Sequence, residues 1–165
     1  MAEKHLSIYL NDHFAGGVAA LELLAHLERA HADTVIARVA SKLHADVTAD
    51  HEELDTIMRR AGIAASRVRQ ATAWLIEKVA ELKVRVDDPT DGALRLLETL
   101  EALALGIDGK RTLWEGLAVV AEDVPALHGV DYARLTQRAQ DQRRRVETLR
   151  LDAAKAALGP ASTAE

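Results

Sequence analysis

The stretch IYLNDHFAGG, Ile8 to Gly17, interrupts an apolar helical pattern with Asn11, Asp12, His13 and a pair of glycines. An imidazole can ligate a metal or carry a proton near neutral pH, so His13 is the first residue to place. Further along, Asp46, Asp50 and Glu53 follow one another at spacings of four and three, which puts them along one side of a helix. With His13, His44 or His51 they could ligate a hard cation such as iron or manganese. The same spacing arises on a solvated helix edge, and a buried His13–Asp50 pair that fixes helix register is the favoured reading. The run QRRRVETLR offers arginines for phosphate, but Arg138, Arg145 and Asp152 share an outward face and Glu147 is interspersed. That is the pattern of a solvated helix stabilised by its own ion pairs.

These side chains need long helices to hold them. Hydrophobic residues make up 48% of the 165 positions and aromatics only 3%, with Ala and Leu dominant, which suits packed helices and not a sheet. The expected fold class is all-α, as one domain over residues 1–158 with a frayed tail at 159–165. With no cysteine, disulfides, thiolate zinc sites and Cys nucleophiles are excluded. A net charge of -5 argues against nucleic acid as the main partner. No apolar run approaches the ~18 residues of a membrane span, and the N-terminus lacks the pattern of a secretory signal, so a cytoplasmic protein is expected.

Breakers divide the chain into five helical runs. The first covers about Lys4 to His31. The second starts from Asp33 as N-cap and ends at Gly62. The third opens at Ser66 and stops before Pro89. The fourth runs from about Thr90 to Asp123, and the fifth from Asp131 to Leu158, with Pro125 and Gly129 between them. Projection at about 100° per residue places His13 and Gly17 among Leu6, Leu10, Phe14, Leu21, Leu24 and Leu27, with Asn11 and Asp12 pointing away. The second run groups Asp50 with Val39, Leu43, Val47, Leu54 and Ile57, and sets Asp46 and Glu53 at the edge of that face. His13 and Asp50 both fall about 27 to 29 Å from the turn near Ala32, so they can meet across the helix pair. Glycine inside a helix costs about 1 kcal/mol relative to Ala, and close approach of another helix or of a bulky side chain such as Trp74 or Trp114 would account for Gly16 and Gly17. The remaining histidines are expected in solvent.

Two long hairpins joined by a long connection is the order of a four-helix bundle with one crossover. In this layout, HLSIYLNDHFAGGVAALELLAHLERAH followed by DTVIARVASKLHADVTADHEELDTIMRR resembles the uncharacterised bacterial ferritin-like proteins. The resemblance implies a ferritin-like four-helix bundle with hairpin turns at opposite ends. It brings Arg111 and Gln142 of the second hairpin close to the level of His13 and Asp50, as a buried polar layer. Di-iron members carry Glu on two helices and Glu-x-x-His on two more. Here the only Glu-x-x-His is Glu28 to His31, the fifth run has no histidine, and Lys110 and Arg111 bring positive charge. The resemblance therefore implies the fold and not the ferroxidase chemistry. A non-enzymatic protein without cofactor is expected, acting through association, with iron or manganese at His13, Asp46, Asp50 and Glu53 as the alternative. Ile8 and Tyr9 lie at or beyond the edge of the first core face, and the third run is amphipathic. A homodimer through the first hairpin or that crossover would cover both.

Overall fold

The computed structural model describes residues 2–64 and 92–160. Among them are four long helices and no strand: α1 Ala2–Ala30, α2 Val35–Arg60, α3 Gly92–Val120 and α4 Tyr132–Leu158. The crossover run expected from Ser66, with Trp74 in it, lies outside the described residues, as do positions 161–165 of the tail.

Local chemistry sets the helix ends. Asp33 does not cap α2, because it takes a left-handed conformation at φ 65° in the turn, and Thr34 serves instead. The Thr34 hydroxyl accepts from the Ala37 N–H at 3.4 Å, satisfying one of the free donors of the first turn. At the other end Gly62 takes φ 66°, and the Ile63 N–H returns to the Met58 carbonyl at 2.9 Å. That closes α2 with glycine in the one conformation it adopts more cheaply than other residues. Asp131 accepts from the Arg134 N–H at 3.0 Å and starts α4. Between α3 and α4, Pro125–Leu127 forms a single 3-10 turn whose Leu127 is fully buried, and the Tyr132 hydroxyl donates to the Leu127 carbonyl.

α1 packs along α2 and α3 along α4, and the pairs meet through α1 with α3 and α2 with α4. The core falls into two parts. One joins Leu24 and Leu27 of α1 to Ala40 and Leu43 of α2, Leu100 and Leu103 of α3, and Val146 and Leu149 of α4. The other joins Leu10 to Ile57 and Met58, Leu113 and Trp114, and Leu135. Early α1 therefore lies beside late α2, late α3 and early α4. The α1–α2 turn and the α3–α4 loop lie at opposite ends, and these four helix pairs all run antiparallel. No helix among the described residues is long and apolar enough to cross a membrane.

Candidate functional site

Between the two core regions lies a layer of charge. On α2 the core positions run Ala40, Leu43, Val47, Asp50, Leu54, Ile57, alternating steps of three and four, and Asp50 occupies one of those inward slots at 1% exposure. On α3 the same rhythm runs Leu100, Leu103, Ile107, Lys110, Trp114, Leu117, and on α4 Leu135, Ala139, Gln142, Val146, Leu149. Three helices thus send one polar side chain each to one level. Lys110 Nζ donates to Asp50 Oδ2 and to Gln142 Oε1, both at 2.5 Å. The Gln142 amide donates to Asp50 Oδ2 at 2.9 Å, and Arg138 Nε donates to Asp50 Oδ1 at 2.7 Å. Burial pushes the Lys110 ammonium below its ordinary pKa, opposed by the Asp50 carboxylate.

This layer departs from the sequence expectation in two members. Arg111 does not enter it. Its guanidinium stays on α3, paired with Glu115 at 2.6 Å and Asp108 at 3.8 Å, and Lys110 one position earlier takes the inward slot. His13 does not reach Asp50 either. Its ring lies edge-on to Tyr9 with centroids 4.7 Å apart, a neighbour one turn back on its own helix. Arg138 and Arg145, assigned by projection to the solvent face of α4, turn toward α2. Arg145 pairs with Asp46, Arg138 with Asp50, and Arg134 reaches Glu53 at 3.7 Å. The acidic trio that suggested a metal site is therefore one side of an antiparallel ladder with arginines. Among the described residues no group of three or more His, Asp or Glu side chains could hold a metal ion, and His13, Asp46, Asp50 and Glu53 do not converge.

At the level of the charged layer α1 contributes glycine. Gly17 lies under the His51 ring, where an added Cβ would be 2.6 Å from Nδ1. Among the described residues the close approach comes from His51 and not from Trp114, Trp74 lying outside them, and at Gly16 a Cβ would meet no described atom within 4 Å. His51 stacks on Phe14 at 4.0 Å, so it is a half-buried histidine and not a solvated one. Asn11 is also buried, against expectation. Its side-chain amide donates to the Ser7 carbonyl at 2.8 Å, which lets a polar side chain face inward from α1. Beside Gly16 and Gly17, a cleft of about 180 Å³ opens between α1 and α3, with Asp50, His51, Lys110 and Trp114 among its walls. Compared with known proteins, the chain matches no family model, no curated protein sequence and no solved structure.

Two outcomes follow from this geometry. Gly16→Ala should stabilise by about 0.5 to 1 kcal/mol through helix propensity alone, whereas Gly17→Ala should destabilise by displacing His51 from Phe14. Urea unfolding of the two variants checks the contrast, and equal effects would remove the clasp at Gly17. Burial also lowers the His51 pKa from its ordinary 6.5, with Asp55 and Glu52 opposing, and burial lowers that of His13. Because the folded-state pKa is then below the unfolded one, the unfolded chain takes up protons first, and stability falls as pH drops below about 6.5 until the folded-state value is passed. The urea midpoint should decline from about pH 7.5 to 5.5, and His51→Phe should make that decline shallower; an unchanged slope would contradict the assignment.

Proposed function

We propose that this protein is a non-enzymatic helical bundle of ferritin-like layout that works by pairing with a second copy of itself. The antiparallel arrangement, with hairpin turns at opposite ends and one long connection between the hairpins, supports that layout. The charged layer supports a structural reading over a catalytic one. Both oxygens of Asp50 are held by Lys110, Arg138 and Gln142, and Asp46 and Glu53 are each engaged by an arginine. Iron or manganese would have to displace these cations from the carboxylates it needs.

The observation that carries the pairing is an apolar groove where the N-terminal end of α1 meets the C-terminal end of α3. It is lined by Leu6, Ile8 and Tyr9 on one side and Val120 and Val124 on the other. Ile8 is 37% exposed, Tyr9 38% and Val120 38%, and neighbouring Val119 is 82% exposed. The Tyr9 hydroxyl lies 3.5 Å from where a Cβ of Gly116 would be, an ordinary van der Waals distance that sets the ring against α3. Glu3, His5 and Asp12 supply a polar rim. A contiguous apolar patch with such a rim fits a protein interface, and two-fold pairing covers it on both copies at once. The face combines α1 with α3, where the sequence pointed to α1 with α2 or to the crossover.

Light scattering during size exclusion at micromolar concentration should return twice the chain mass of 17.9 kDa. Tyr9→Glu together with Val120→Glu should return a single chain of unchanged helical content, since both side chains are already part-exposed. A single-chain mass for the unaltered protein at every concentration would overturn the pairing.

A further inference from the structure

The cleft between α1 and α3 has features that neither the packing nor the self-association reading uses. α3 places Gly106 and Gly109 on its wall, opposite Gly16 on α1, and at all three an added Cβ would meet no atom of the described residues within 4 Å. Glycine inside a helix is unfavourable, and among the described residues no neighbour requires it at these positions. Their common effect is to keep space open. The space lies beside unsatisfied donors. The Lys110 ammonium has three N–H groups, of which Asp50 and Gln142 take two, and the described residues supply no acceptor for the third. Trp114, fully buried, also lines the cleft, and its indole N–H has no acceptor among the described residues. Charge points the same way. Lys110 and Arg138 both address the single carboxylate of Asp50, which leaves the buried layer one positive charge in excess. Asp12 at the rim is exposed, where water screens it.

We propose that this cleft binds a small carboxylate with an apolar body, its anionic end accepting from Lys110 and its body lying among Ile107, Leu113 and the glycines. The volume of about 180 Å³ compares with the roughly 150 Å³ apolar cavities that hold a benzene ring. The ligand is thus of the size of an aryl or short aliphatic acid. An anion there would complete the layer's charge and offset the burial that depresses the Lys110 pKa. The cleft shares Asp12 with the rim of the groove at Ile8 and Tyr9, but Gly106, Gly109 and Lys110 lie outside that groove, so the two can be tested separately.

The test uses the full chain and two probes, benzoate and its neutral counterpart benzamide, followed by heteronuclear NMR. Benzoate at millimolar concentration should give saturable shifts at the Gly106 and Gly109 amides and at the Trp114 indole N–H. Benzamide should bind at least about tenfold more weakly, since it loses the charge-assisted hydrogen bond. Gly106→Leu and Gly109→Leu fill the open space and should abolish the shifts without lowering the thermal midpoint. Equal affinity for the two probes, failure to saturate, or wild-type benzoate binding in either filled variant that still folds would overturn the proposal.

Discussion

A carboxylate buried to 1% exposure can persist as an anion only when every lone pair it presents is answered, and the arrangement of this molecule follows from how Asp50 is answered. Its partners come from the other hairpin, Lys110 from α3 and Arg138 and Gln142 from α4. Within each hairpin, apolar packing along the full length holds the helices together. Between the hairpins, α2 meets α4 through a seam in which Glu53, Asp50 and Asp46 face Arg134, Arg138 and Arg145 in antiparallel order. Arg60 extends the seam by donating to the His128 carbonyl at 2.6 Å. Sliding one hairpin by a turn would offer Asp50 another arginine of the seam at best, but it would carry off Lys110 and Gln142 and bring apolar neighbours such as Ile107 or Trp114 to its level. Apolar burial alone does not penalise such a slip so sharply, because leucines three and four residues apart are interchangeable contacts. The charge therefore selects one register more than it adds to total stability.

The same layer explains why α1 looks unlike a core helix in its middle. At this level three helices already fill the interior with one carboxylate, one ammonium, one amide and a guanidinium. α1 has no matching polar group to offer and instead presents Gly16 and Gly17, one clasped by His51 and the other bordering the cleft. A large apolar residue at position 17 would strike the His51 ring. Gly17 thus answers to the ring that α2 places over it, whereas at Gly16 the described residues leave open space. The apolar side chains that α1 does carry beyond its core face, Ile8 and Tyr9, emerge nearer its N-terminus beside Val120.

The helical class and the helix ends at Gly62, Asp131 and Pro125 were legible because period and breakers are local signals that act within one turn of themselves, whereas the cap of α2 fell to Thr34 and not to Asp33. The inward slots of Asp50 and Gln142 were legible for the same reason. What misled the reading was angular resolution. Lys110 and Arg111 differ by about 100° around the helix, and a face drawn through Leu103, Ile107 and Trp114 admits Lys110 at the missing step, which strict alternation of three and four would have required. Arg138 and Arg145 were misassigned because a long side chain can leave a flanking position and reach across a seam, so its Cβ direction does not decide where its charge goes. The complementary spacing was present in the chain, acids at 46, 50 and 53 against arginines at 145, 138 and 134, but only antiparallel juxtaposition turns it into a pairing code. His13 failed for a different reason: an aromatic neighbour one turn away offered a nearer contact than a carboxylate across the helix pair.

The central claim is that Asp50 and Arg138 are energetically coupled across the hairpins. A double-mutant cycle built from Asp50→Asn and Arg138→Gln, read by urea unfolding, measures that coupling with little change in side-chain volume. The account predicts a coupling energy above about 1 kcal/mol, with the Asp50 change alone the more costly because it leaves Lys110 and Arg138 both unmatched. Effects that add within about 0.5 kcal/mol would contradict it, and would mean that the hairpins are held in register by apolar packing alone.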